Sequence, residues 1–219
     1  MGPATRLVLA RHGQAQCNVD GRVGGPITCT GLTDVGRAQV GKLAARLTAE
    51  QRDGPVFDAL YTGPRRRLIE TSRILAAGLG LTAVIDSGLD GPRHGDADGR
   101  LWQDVETAFR GAPHTHPDQP YAPGAETWNE YLHRAAEHLK ALLDRHQGQT
   151  VLLAVHGETI QAACHLLLGL DSPSEATPSK VSFGTDHASL TRFVLGLDEF
   201  GNRGTTLMVL NDTTHLSRP

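Results

Sequence analysis

The chain has 219 residues, 39% of them apolar and 21% charged, with 21 basic against 24 acidic side chains. That length suits one domain spanning residues 1–219 with a sizeable core, and the near balance of charge, with no basic block, argues against nucleic acid as a partner. There is no run of about 18 apolar residues, so no membrane span is expected.

MGPATR opens the chain without the apolar segment of a secretory signal, and Arg6 stands where a myristoylation signal needs Ser or Thr. Cys17, Cys29 and Cys164 are odd in number and irregularly spaced, which fits reduced thiols in a cytoplasm better than a disulfide framework. The first strand is expected at about Arg6 to Arg11, where the apolar run Leu7-Val8-Leu9-Ala10 ends in Arg11-His12-Gly13. A helix follows, with Thr33 as its N-cap and Val40, Leu43, Ala44 and Leu47 on one face. DALYTG, Asp58 to Gly63, reads as a short strand leading into a helix from about Pro64, with Ile69, Ile74 and Leu75 inward and Gly78 or Gly80 as its stop. Gly88 to Pro123 is rich in Gly, Pro, Asp and His and carries one short helical piece near Leu101 to Phe109; a connection of that kind is expected to form a lid over a site.

Beyond it, ETWNEYLHRAAEHLKALLDRH is an amphipathic helix with Trp128, Tyr131, Leu132, Ala135, Leu139 and Leu142 in one stripe. TVLLAVH has the apolar, β-rich character of a strand buried on both faces. ETIQAACHLLLGL returns as a helix, and HASLTRFVL and TTLMVLND close the chain as strands. Strands alternating with helices predict a three-layer α/β/α fold around a mostly parallel sheet, with residues 88–123 as the lid insertion. An exposed strand edge or helix face could support a homodimer, though nothing in the sequence demands one.

Two of the expected strands end in His-Gly, at His12 and His156. Ligands of parallel α/β sheets bind beyond the carboxyl ends of the strands, so both imidazoles are expected in one crevice. A glycine after each lets the backbone turn and approach a ligand. Arg11 supplies a planar, permanently charged fork, and Arg65-Arg66-Arg67 sits at a strand-to-helix junction where free N–H groups also favour anions. Eleven histidines make any one of them weak evidence; the joint placement of cations and imidazoles at strand ends is what describes a dianion pocket. His114-Thr115-His116 is too poor in further ligands to read as a metal site and is expected on the lid surface. No GK[ST] follows the Gly24-Gly25 pair, so it is not a nucleotide phosphate loop, and Ser189 lacks a nucleophile-elbow context.

Six segments, in order, resemble the histidine phosphatase superfamily, the phosphoglycerate mutase-like group. RHGQAQCN is similar to R-H-G-x-[ST]-x-x-N, with Ala15 in place of Ser or Thr and Asn18 retained. GLTDVGRAQV resembles P-L-T-x-x-G-x-x-Q-A, and LYTGPRRRLIETS resembles the segment whose arginine binds phosphate, which selects Arg67. APGAETWNEY, LLAVHGETI and the closing strands complete the likeness.

The resemblance implies a phosphohistidine mechanism. Neutral His12 attacks phosphorus; Arg11, Arg67 and protonated His156 bind the equatorial oxygens; Asn18 and the backbone near Gly25 add hydrogen bonds. It implies no cofactor and no metal, because the arginines and imidazolium supply the positive charge. A carboxylic acid protonates the leaving alkoxide and then activates water.

In that respect the sequence departs from the family. GLDGPRHGDADG places Gly91 where the usual glutamate stands. Four carboxylates could substitute: Asp90, Asp96, Asp98, which matches a second acidic position of the family, or Glu158; Asp90 is the preferred expectation as the nearest. Three functions follow in order. The first is a phosphatase acting on a small organic phosphomonoester. The second is a phosphoglycerate mutase, disfavoured because NDTTHLSRP leaves little chain past the last strand to shield a phosphohistidine. The third is a weakened phosphate-ligand binding protein, suggested by Gly91. Arg93, His94, Arg100, Trp102, His114 and His116 of the lid are the residues expected to read the substrate's body.

Overall fold

The computed structural model describes residues 3–51, 56–177, 179, 181–197 and 201–217. Six strands form one sheet: β1 Thr5–Arg11, β2 Ala59–Thr62, β3 Ala83–Ile85, β4 Thr150–Val155, β5 Leu190–Leu197 and β6 Arg203–Asp212, in the order β3-β2-β4-β1-β5-β6. β1 to β4 run parallel, and β5 is antiparallel to both β1 and β6. The mixed α/β architecture expected from the alternation is thus present, with one more strand than the sequence suggested. β3 is three residues long, lies at the sheet edge and leaves Val84 and Ile85 exposed, so its apolar signal is short and one-sided.

The central strands explain the layers. Side chains of a strand alternate between faces. Val8 and Ala10 of β1 and Leu152 and Ala154 of β4 therefore pack on one side against Val40, Leu43 and Leu47 of helix α2 (Asp34–Glu50) and Leu75 of α3 (Arg66–Leu79). Leu7, Leu9, Val151, Leu153 and Val155 face the other way, onto Leu139 and Leu142 of α5 (Trp128–Arg145) and Ile160 and Ala163 of α6 (Gly157–Leu168). Every residue of β4 is buried, as its uninterrupted apolar run demands. Each leucine so buried contributes roughly 1.5–3 kcal/mol relative to exposure.

The helix boundaries follow capping chemistry. Thr33 accepts from Gly36 N–H at 3.0 Å, and Thr127 and Glu130 form a reciprocal capping box at the start of α5. α3 begins two residues later than expected, at Arg66, and stops at Gly80, whose φ of 67° is the left-handed conformation that glycine adopts without penalty. The expected lid contains α4 (Trp102–Phe109) and three short 3₁₀ turns at Ser87–Leu89, Gly95–Ala97 and Pro113–Thr115. It has its own small core of Val23, Ala97, Val105, Tyr121 and Ala122. No helix among the described residues is long and apolar enough to cross a membrane.

Candidate active site

Strand register brings the two histidines together. Arg11 pairs with Val155 across β1 and β4, so the residues one step beyond, His12 and His156, are neighbours with ring centroids 5.4 Å apart. Gly13 is required by close approach rather than by its φ: a Cβ there would lie 2.8 Å from Val40 Cγ2 and would strike the Gly36 carbonyl as well.

The tautomer of His12 follows from its partners. Nδ1 lies 2.8 Å from the Gly13 carbonyl, which can only accept, so Nδ1 carries the proton. Nε2 keeps its lone pair, and Arg67 Nε donates to it at 3.2 Å. Burial, then the charges of Arg67 and Arg11, hold the His12 pKa well below the ordinary imidazole value. His12 is therefore a neutral, oriented imidazole with its proton on Nδ1. His156 caps α6 and is almost fully buried. Arg67 Nη2 donates to its Nδ1 at 3.2 Å, which leaves the N–H on Nε2, and that nitrogen has no partner among the described residues. Burial and Arg67 depress this histidine too. The resting ring is thus neutral rather than the imidazolium expected, and its Nε2–H is still a donor aimed at the site.

Arg67 is placed by the first turn of α3 and is buried. Besides the two imidazoles it donates from Nη1 to the Gly24 carbonyl at 2.8 Å. Arg66, its neighbour, is exposed and pairs with Glu70. Arg11 donates to the Thr185 carbonyl, while its buried Nε has no partner. Burial lowers the Arg11 pKa, partly offset by the nearby charge of Glu158. Asn18 accepts through Oδ1 from Ala15 N–H at 3.0 Å and lies 3.1 Å from His187 Nε2. His187, not anticipated from the sequence, sits 5.8 Å ring to ring from His12.

Other expected site residues are placed differently. The Gly25 N–H is donated to Asp98 Oδ1 at 2.9 Å, so a carboxylate of the 88–123 segment already takes that donor. Asp98 also accepts from Ile27 N–H and the Thr28 hydroxyl; burial would raise its pKa, but these bonds hold it below the usual carboxylate range. It is a loop tie, unsuited to proton donation. Asp90 accepts from Arg65 Nε at 2.6 Å and from Gly91 N–H at 2.9 Å, and it opens on a separate groove lined by Pro26, Cys29 and Pro64. Its carboxylate neutralises buried Arg65, whose other nitrogens reach the Gly24 and Pro92 carbonyls. Asp96 is exposed.

Glu158 lies elsewhere, in a cavity of about 400 Å³ that also includes Arg11, Gly157, His94, Trp102, Tyr121, Trp128 and Phe183. Of the expected substrate readers, His94, Trp102 and His114 line this cavity, whereas Arg93, Arg100 and His116 do not. His114 is exposed, as expected, and also contributes to the cavity wall, 6.2 Å from the Trp128 ring.

A buried neutral imidazole whose Nε2 is unprotonated, a second imidazole and two arginines at the carboxyl ends of parallel strands define a phosphoryl-transfer site on an α/β scaffold. Residues 7–213 match the family model of the histidine phosphatase superfamily (branch 1), and the chain belongs to that family. It is 27% identical over 96% of its length to phosphoserine phosphatase 1 of Hydrogenobacter thermophilus, covering 94% of that protein. It is 31% identical to the 2,3-bisphosphoglycerate-dependent phosphoglycerate mutase of Brucella anthropi, over 81% of this chain and 88% of the relative. Among solved structures it is similar to a mycobacterial glucosyl-3-phosphoglycerate phosphatase determined with VO3, at TM-score 0.77 and 25% identity, over 94% of this chain and 98% of that one. The fold and the family are those of histidine-phosphatase-type phosphomonoesterases.

Proposed function

We propose that this chain hydrolyses small organic phosphomonoesters through a phosphohistidine formed on Nε2 of His12, without needing a metal ion. The observation that carries the reading is the His12 tautomer: Nδ1 is tied to the Gly13 carbonyl while Nε2 offers its lone pair within one hydrogen bond of the Arg67 guanidinium. Nε2 attacks phosphorus in line, and the N–P bond forms as the ester P–O bond breaks. Arg67, Arg11 and the His156 Nε2–H bind the equatorial oxygens as charge spreads over them. The Asn18 amide NH₂ adds a further donor.

Glu158 takes the part of the acid: it lines the same cavity as Arg11, whereas Asp90 is committed to Arg65 in another groove. Protonated Glu158 gives its proton to the leaving oxygen, and the resulting carboxylate then draws a proton from water as that water cleaves the N–P bond.

The test is phosphate release from p-nitrophenyl phosphate with EDTA present, for the wild type and His12→Ala, with acid-labile, base-stable phosphoenzyme trapped in parallel. Release that survives EDTA and vanishes with the phosphoenzyme in His12→Ala is the expected result. Release unchanged in His12→Ala overturns the nucleophile. A phosphohistidine that persists and passes to a second alcohol faster than to water points to a mutase.

A further inference from the structure

The chain has only ten aromatic residues, two Trp, three Tyr and five Phe. Both tryptophans, two of the tyrosines and one phenylalanine line a cavity that contains Arg11 and Glu158. They come from separate elements: Trp102 from α4, Tyr121 from the lid, Trp128 and Tyr131 from α5, and Phe183 from the segment before β5. Trp102 and Tyr121 stand 6.1 Å apart, tilted by 41°, and His94 meets the Trp102 ring edge-on at 6.0 Å. The Tyr121 hydroxyl lies 2.5 Å from His94 Nδ1, which ties Tyr121 to His94 within this wall.

The charges in the cavity are unequal. One guanidinium, Arg11, stands at the phosphate end; three carboxylates, Glu106, Glu126 and Glu158, line the remainder. Glu126 is neutralised by Arg134, with both oxygens bonded at 2.8 and 2.9 Å. Among the described residues Glu106 has no such cation, and Glu158 lies near the Arg11 charge.

We propose that the substrate's leaving alcohol carries a bulky, ring-bearing body with no anionic group, seated between the Trp102–Tyr121 wall and Trp128 and Phe183. The inference rests on the phosphatase reading above and names its substrate class. Flat apolar surface removed from water against these rings favours such a body. A carboxylate on the body would meet the exposed Glu106 instead of a cation, a like-charge contact, while Glu158 keeps its part as proton donor.

The experiment is a series of primary alkyl phosphates with closely matched leaving oxygens: propyl, 3-phenylpropyl and 3-carboxypropyl phosphate, with p-nitrophenyl phosphate as the control for the chemistry. The expected kcat/KM for 3-phenylpropyl phosphate exceeds that for propyl phosphate by about 10- to 100-fold, and that for 3-carboxypropyl phosphate falls below propyl. Trp102→Ala should erase most of the phenyl preference, and Glu106→Arg should raise the carboxypropyl ester relative to propyl. A flat wild-type series, or one led by the carboxypropyl ester, while p-nitrophenyl phosphate is still turned over through His12, overturns the substrate class and leaves the phosphatase reading standing. Failure of the control as well, with no phosphohistidine, removes the phosphatase reading and this inference with it. The wild-type series decides the matter even if a variant fails to fold.

Discussion

Arg67 joins the two imidazoles, donating to His12 Nε2 and His156 Nδ1 while a third bond holds it to Gly24. Arg67→Ala therefore removes the proposed phosphate ligand and the group that donates to both rings. Its kcat/KM is expected to fall by about 10²–10³, as for loss of a preorganised donor at developing charge, while exposed Arg66→Ala stays within about threefold; steady-state kinetics on p-nitrophenyl phosphate compares them, and equal losses would contradict the assignment. The proton donor separates by leaving group. Glu158→Gln should lower kcat/KM for alkyl phosphates by about 10²–10⁴ and spare nitrophenolate, which departs without help. Asp90→Asn should leave that leaving-group slope unchanged and instead cost on the order of 1–3 kcal/mol in urea unfolding, because it weakens the charged bond to buried Arg65. A flattened slope in Asp90→Asn would return the acid to that residue. The imidazoles were legible in the sequence because each ends an apolar strand and precedes glycine. The Arg65–Asp90 pair was not, since adjacent arginines look alike until a helix start points two of them inward and one out. Gly91 shows the same limit: a Cβ there would lie 2.8 Å from His156 Cδ2, a contact that no local pattern announces.

The segment after α1 (Gln16–Val19) is held to residues 88–123 by backbone bonds, Val23 N–H to the Arg100 carbonyl and Gly99 N–H to the Val23 carbonyl among them, and by one carboxylate. Asp98 accepts from Gly25 N–H, Ile27 N–H and the Thr28 hydroxyl, and the same loop carries the Gly24 carbonyl to which both Arg65 and Arg67 donate. Asp98→Ala loosens the Gly25 to Thr28 part of this loop without touching the imidazoles. KM is expected to rise about tenfold with a smaller change in kcat, and limited proteolysis should cut near Ile27, which is already 88% exposed. An intact loop with unchanged KM would show that the tie is dispensable. Long elements with one clear period, α5 and β4, could be read directly from their residues. The short lid turns could not, because their geometry is set by contacts with distant residues such as the Asp96 N–H to Pro123 carbonyl bond at 2.9 Å. His187 was hidden for a topological reason. β5 runs antiparallel to β1, so the residues before it, rather than after it, lie beside His12, as the 3.1 Å bond from Ala188 N–H to the His12 carbonyl shows.

Taken across the molecule, the fold buries a set of histidines in their neutral form. His12, His94, His156 and His187 are all depressed, by burial first and by arginine charges after it; His94 and His187 are brought to about 4. The unfolded chain binds protons at these sites near pH 6.5, where the folded chain does not. Stability is therefore fully present above about pH 6.5 and is lost as pH falls below it. At the limit each such histidine removes about 1.4 kcal/mol per pH unit. His94, with its folded value about 4, accounts for about 3 kcal/mol by the time pH reaches that value. Asp98 and Glu126 add loss of the same sign at lower pH: burial would raise both, but their hydrogen bonds outweigh it and hold them below the usual range. Urea unfolding at pH 7.5, 6.5 and 5.5 is expected to show a falling midpoint at constant m. In His94→Gln, whose amide can still meet the Tyr121 hydroxyl, the slope below pH 6.5 should lessen by up to one proton. For the same reason catalysis extends to acid: with His12 held neutral well below pH 6.5, kcat/KM expressed per ester dianion should stay level through that pH. A stability slope unaltered by His94→Gln would mean that His94 takes its proton without unfolding the wall it forms with Trp102 and Tyr121. A fall in kcat/KM per dianion centred near 6.5 would mean that His12 meets solvent in the working enzyme.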